Sequence, residues 1–186
     1  MYKLCKTEQS ATRQRELEQG LLKMMLQYRY EDISVSDLCD HLEIPRKSFY
    51  RYFSSKDGAL YALLDHTMMD YFGTGASMLG ITPGTQRGDL VRYFAFWRER
   101  GDLLDALQCN GLSGILVERA MDLALRERLM PGYMRKMEPE IQQMAMSFSV
   151  CGLLSMVLLW HSHGFSTPPE EMMKIALSLL TKPLLQ

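Results

Sequence analysis

Between Ile44 and Lys56 the chain carries Arg46, Lys47, Arg51 and Lys56 and no acidic residue, with the hydroxyls of Ser48 and Tyr50 set among them. Guanidinium, ammonium and hydroxyl groups in such density donate to phosphate oxygens, and an arginine or lysine also matches the O6 and N7 acceptors of guanine. Phe49 and Phe53 stand four apart, so on a helix they share one face and leave Arg46, Lys47, Tyr50 and Arg51 on the opposite arc. Taken singly, Arg51 or Lys56 is an ordinary solvated charge and Tyr50 a packing residue. Four bases without an acid on an outward arc point instead to a polyanion.

Short local signals supply the elements that must hold this arc. Ser34 has the character of an N-cap, with Asp37 three residues later, and Val35, Leu38, Cys39 and Leu42 follow at helical spacing. Glu43 and Ile44 make a connection, Pro45 pre-sets the first turn of a second short helix, and Phe49, Tyr52 and Phe53 mark its buried side. Two short helices and a tight turn from Ser34 to Phe53 form a helix-turn-helix, whose second helix fits a DNA major groove about 12 Å wide. Arg46 and Lys47, at the start of that helix, are placed to reach base edges. Ser48 and Tyr50 offer hydroxyls to phosphate or base, Arg51 a charged fork to the backbone, and Ser34 and Lys56 lie at helix starts that favour phosphate.

Helical periodicity continues on both sides. Leu17, Leu21, Met24, Met25 and Tyr28 define a helix from about Glu8 to Arg29, and Leu60, Leu63, Leu64, Met68 and Tyr71 one that starts after Ser54 or Ser55 and ends near Gly73 to Gly75. Further helices are expected over 86–100, 102–108, 111–129, 139–163 and 169–181, with stops at Pro131 and Pro183. No period-two alternation between turn signals is found. The expected fold is all-α: an N-terminal three-helix domain with the helix-turn-helix, over residues 1–57, and a helical regulatory and dimerisation domain over 58–186.

Composition narrows the function. A formal net charge of -1 sets the local basic arc apart from the chain as a whole, so which face carries each charge decides the matter. No uninterrupted apolar run reaches the roughly 18 to 20 residues that cross a bilayer, and the first ten residues lack a secretory stretch; a cytoplasmic protein without a membrane partner is expected. Cys5, Cys39, Cys109 and Cys151 form no C-x-x-C pair and read as free thiols. His161 and His163, two apart, fall on different helix faces, so no metal is expected. No catalytic motif or cofactor signature stands out, and the chain reads as a non-enzyme without cofactor.

The run Ser34-Val35-Ser36-Asp37-Leu38-Cys39, Ile44, and above all Ser48-Phe49-Tyr50-Arg51-Tyr52-Phe53-Ser54-Ser55-Lys56-Asp57 with Leu60 resembles the TetR family of transcription regulators. The resemblance implies that Tyr50 and Lys56 touch phosphates and that Arg46 to Ser48 approach bases. The chain departs from the family's usual residues at Cys39, Leu42, Glu43, Pro45 and Lys47, with Glu43 and Lys47 replacing glycines. A looser resemblance, carried by Leu158-Leu159-Trp160-His161, Gly164-Phe165 and Thr167 to Met172, is to the dihydroxyacetone-kinase regulator subgroup, some members of which act with protein partners.

The segment Phe148 to Trp160 is apolar nearly all round, which calls for neighbours on two sides. One is its own core and the other a second copy, since a helix-turn-helix dimer sets two reading helices on the half-sites of a palindromic double-stranded operator. The resemblance to the TetR family implies that the last two long helices form that seam, through Leu154, Leu158, Met172, Ile175, Ala176 and Leu179; the alternative is that both helices only close the core of their own chain. Fifteen methionines exceed the usual share, and Met68, Tyr71, Phe94, Trp97, Leu104, Leu112, Met121 and Met144 are candidates to line an adaptable pocket for a small apolar effector. The same residues would also serve as plain core, with a protein co-regulator then taking the effector's place.

Overall fold

The computed structural model describes residues 2, 3, 5, 7–73, 86–126 and 136–181. Among them stand nine α-helices and no strand: α1 (Glu8–Met25), α2 (Val35–His41), α3 (Arg46–Tyr52), α4 (Lys56–Gly73), α5 (Gln86–Arg98), α6 (Gly101–Cys109), α7 (Ser113–Arg126), α8 (Pro139–Ser162) and α9 (Pro169–Thr181). The fold is all-α. The turn expected around Gly75 and the stops at Pro131 and Pro183 lie outside the described residues. Two compact units are present, one made of residues 1–67 and 102–114, the other of 68–101 and 115–186.

In the first unit, Leu17, Leu21 and Met25 of α1, Leu38 and Cys39 of α2, Phe49 of α3 with Phe53 just after it, and Leu60, Leu63 and Leu64 of α4 are almost wholly buried. The first helix is shorter than its periodicity predicts. It ends at Met25, and Tyr30–Asp32 form a separate short 3-10 helix. Tertiary hydrogen bonds account for the break. The Tyr30 amide donates to Asn110 Oδ1 at 2.5 Å and the Tyr30 hydroxyl to Asp57 at 2.6 Å, while Asn110 Nδ2 donates to the Met25 carbonyl at 3.1 Å. Tyr28, expected on the apolar face, is 56 % exposed.

The turn between α2 and α3 is held by Ile44, which is buried and whose amide donates to the Cys39 carbonyl at 2.9 Å. Before it, Glu43 sits at φ +52°, a left-handed conformation that costs a side-chain-bearing residue roughly 1 kcal/mol. Glu43→Gly is therefore expected to raise thermal stability by about 2 °C, measured by circular dichroism, because relief of that strain outweighs the greater freedom of glycine in the unfolded chain. An unchanged or lower midpoint would show that Glu43 is not strained. Pro45 occupies the N-cap position of α3, one residue earlier than expected.

In the second unit α5 packs along α9 and also meets α8. Phe94 sets its ring edge against Trp160 at 5.6 Å, and the Trp160 indole donates to the Thr167 carbonyl at 2.9 Å. Counted by window rather than by uninterrupted run, α8 does reach bilayer-spanning length, with a mean hydropathy of 1.6. Its face through Met146, Val150, Leu153, Leu154, Val157 and Trp160 is buried in the unit's own core. That burial explains much of its apolar character.

Candidate nucleic-acid interface

The interface is built on one capping box and an apolar turn. Ser34 Oγ accepts from the Asp37 amide at 3.1 Å while the Asp37 carboxylate accepts from the Ser34 amide at 2.8 Å, a reciprocal capping box that starts α2. The hydrogen bonds from Ser34 hold the Asp37 carboxyl below its ordinary range. Its contribution is thus present above the unfolded carboxyl's pKa and is lost as pH falls through the lower, folded value. Ser34 itself is exposed, and its side chain serves this cap.

Helix α3 divides as its sequence predicts. Phe49 and Tyr52 are buried and the following Phe53 closes the core, while Arg46, Lys47, Tyr50 and Arg51 are exposed and Ser48 is half-buried. Tyr50 lays its ring edge-on to Phe49 at 5.5 Å, which anchors the base of its side chain and leaves it half exposed. The four outward groups therefore share one solvent-facing surface of a helix whose opposite side is fixed.

Lys56 has a different setting. Its ammonium donates to the Tyr30 carbonyl, to the Ile33 carbonyl at 2.6 Å and more distantly to Glu31 at 3.5 Å, and lies 4.2 Å from the centre of the Tyr30 ring. Burial pushes its pKa down. An ammonium has three donors, and here they meet the carbonyls just before the Ser34 cap. Lys56→Ala is expected to lower stability by about 2 kcal/mol, since charge-assisted hydrogen bonds are lost and the Ile33 carbonyl has little access to water. Thermal unfolding checks this, and an unchanged midpoint would mean that the ammonium contributes nothing to the turn.

Two contributors escaped sequence reasoning. Tyr2 forms an isolated antiparallel bridge with Phe53, the Lys3 amide donates to the Tyr52 carbonyl at 2.9 Å, and Gln14 of α1 donates to the Lys3 carbonyl at 3.1 Å. The extreme N-terminus thereby secures the end of α3, and a single bridge leaves no periodic trace in a sequence. Arg13 of α1, paired with Glu16 at 2.5 Å, shares a surface groove with Arg51, Ser10 and Gln9. Only tertiary packing brings α1 to the side of α3.

No protein-family model and no curated protein matches the chain. Among solved structures, one described as dihydroxyacetone kinase operon activator DhaS aligns over 90 % of this chain and 93 % of its own, with a TM-score of 0.58 and 14 % identity. The two chains share a fold. At that identity the likeness is one of architecture, and side-chain roles rest on the geometry described above.

The second unit holds an apolar cavity between α4, α5, α7 and α8, lined by Met68, Tyr71, Tyr93, Trp97, Ala120, Val150, Leu153 and Leu154. Of the candidate pocket residues, Met68, Tyr71 and Trp97 are there. Phe94 lies buried against Trp160, Met121 is half-buried on α7, Leu104 and Leu112 belong to the first unit, and Met144 is 63 % exposed. Heptad-like spacing on α8 explains the last, because Met144 and Phe148 lie on the face opposite the core.

The candidate seam residues also divide. Leu154, Met172 and Ala176 are buried within their own unit and Leu158 is half-buried, so only Ile175 and Leu179 present open apolar surface. The larger outward stripe lies elsewhere than these residues. On α8 it runs through Ile141, Met144, Phe148, Gly152, Ser155 and Leu159, with Phe148 64 % and Leu159 60 % exposed.

Proposed function

We propose that the chain is a TetR-like transcription regulator, a homodimeric repressor that binds a palindromic operator through its helix-turn-helix and senses an effector in its C-terminal part. The observation that carries this reading is the exposed set Arg46, Lys47, Tyr50 and Arg51 on a helix whose other face is locked by Phe49 and Tyr52. Arg46 and Lys47 read bases from the start of α3, Ser48, Tyr50 and Arg51 meet backbone or base, and Lys56 and Ser34 act by fixing the entry to α2. The outward stripe of α8, with Ile175 and Leu179 of α9, supports pairing with a second copy, since Ile141, Met144, Phe148 and Leu159, at spacings of three, four and eleven residues, put exposed apolar side chains on one helix face, as at the seam of a helical bundle.

A second reading makes the chain an activator whose C-terminal part docks a protein partner. The likeness to DhaS, an operon activator, favours it. Binding to DNA flanking its own gene, measured against salt concentration, tests what both readings share: the logarithm of affinity should fall linearly with the logarithm of salt. A flat line would remove the DNA-binding reading altogether. A promoter reporter then separates the two, with repression expected on adding the protein and stimulation favouring the activator.

A further inference from the structure

We propose that the cavity of the second unit is a binding site for a small, uncharged aromatic molecule bearing one hydrogen-bond acceptor, which Tyr93 recognises. The proposal deepens the effector-sensing part of the regulator reading and rests on that reading for its consequence at DNA. Its first ground is what the walls lack. They are aliphatic and aromatic, without a charged side chain, so an ion entering would shed its water and meet no opposite charge, at a cost of several kcal/mol. Asp89, which is buried close by in sequence to Tyr93, has its carboxylate paired with Arg92.

The second ground is the polar group the walls do offer. Tyr93 is 6 % exposed and lines the cavity. A phenol carries one proton that it can donate to an acceptor. Among the described residues no group takes that proton. Burial pushes the Tyr93 pKa up, so the hydroxyl remains a donor across the physiological range.

The third ground is shape. Tyr93 meets Tyr71 edge-on at 5.7 Å and Trp97 at 6.4 Å, an arrangement of ring edges and faces that an aromatic guest can extend. Ala120 is the small residue of the wall, where a larger side chain would reach into the cavity. In this closed state there is room for about one water molecule, so a ring-sized guest binds as the Met68 side chain swings aside on its three rotatable bonds. The guest selects an open state of the unit, and any effect on DNA equals its preference for that state.

Three compounds of nearly equal size test the chemistry: acetophenone, which carries a carbonyl acceptor, isopropylbenzene, which has none, and benzoate, which is charged. Titrated calorimetrically into the full chain, acetophenone should bind about fivefold more tightly than isopropylbenzene, the equivalent of one hydrogen bond, and benzoate at least tenfold more weakly than either. Tyr93→Phe should remove the advantage of acetophenone and leave isopropylbenzene unchanged, and Ala120→Leu should abolish binding of both. Benzoate binding as well as acetophenone, an unchanged preference in Tyr93→Phe, or no heat from any compound at its solubility limit overturns the proposal. The salt titration on DNA is run without any compound, so the two ideas fail separately. A protein that binds DNA but none of the three loses only the pocket, whereas one that binds acetophenone but not DNA loses only the regulator reading.

Discussion

Replacing Arg46, Lys47 and Arg51 together by alanine is expected to lower affinity for operator DNA by roughly a hundredfold to a thousandfold at about 0.15 M salt, from three contacts worth about 1 to 1.5 kcal/mol each. All three side chains lie on the exposed arc of α3, so stability should change by no more than about 0.5 kcal/mol per site. The single variants should differ in kind. Arg51→Ala weakens binding to all sequences alike and flattens the salt slope by about 0.9, the signature of one lost phosphate contact. Arg46→Ala and Lys47→Ala mainly blur sequence preference. Electrophoretic mobility shifts against operator and scrambled DNA at several salt concentrations measure both quantities, and a triple variant that binds like the parent protein would show that α3 is not the reading helix. Lys56→Ala behaves differently again: it lowers stability through the Tyr30 and Ile33 carbonyls, and its salt slope should stay that of the parent.

Placing glutamate at both Phe148 and Leu159 is expected to leave a folded monomer, because both side chains are mostly exposed on α8 within a single chain. Two copies facing one another along this stripe would then set four carboxylates in an apolar seam, each facing a desolvation cost of several kcal/mol. Light scattering at micromolar concentration should give the mass of one chain for the variant and of two for the parent. Operator affinity should fall by about 10² to 10⁴, since two linked reading heads bind the second half-site at a high effective concentration that a monomer lacks. A variant that remains a dimer would move the seam elsewhere. The matching change at Leu154 or Met172 is no test of pairing, because both are buried in the core of their own unit and would fail by unfolding it.

The contrast between Leu154 and Phe148 shows how far the sequence reaches. Every residue from Phe148 to Leu154 except the serine and glycine positions reads as apolar or nearly so, and on a helix apolar all round the pattern does not say which side meets the core. Packing of α8 against its neighbours turned Leu154 inward, to the cavity, and Phe148 outward. The pocket shows the same division. Met68, Tyr71 and Trp97 could be suspected from their bulk and spacing, but Tyr93 and Ala120 became visible only when α4, α5, α7 and α8 converged.

By itself the sequence determined what depends on neighbours a few residues away: the all-α character, the capping box of Ser34 and Asp37, the turn around Ile44, and the split of α3 into a buried Phe49 face and an exposed Arg46, Lys47, Tyr50 and Arg51 face. Caps and helical periodicity act through hydrogen bonds and side-chain spacing within one or two turns, so the order of residues contains them. The tertiary structure alone decided the fate of groups whose partners are far away in the chain. It ended α1 at Met25 through Asn110, occupied the Lys56 ammonium with the carbonyls of Tyr30 and Ile33, tied Lys3 to the end of α3, and chose the outward side of α8. A basic residue looks the same in sequence whether it awaits a phosphate or a carbonyl, and only folding brings the carbonyl to Lys56 while leaving Arg46, Lys47 and Arg51 facing solvent.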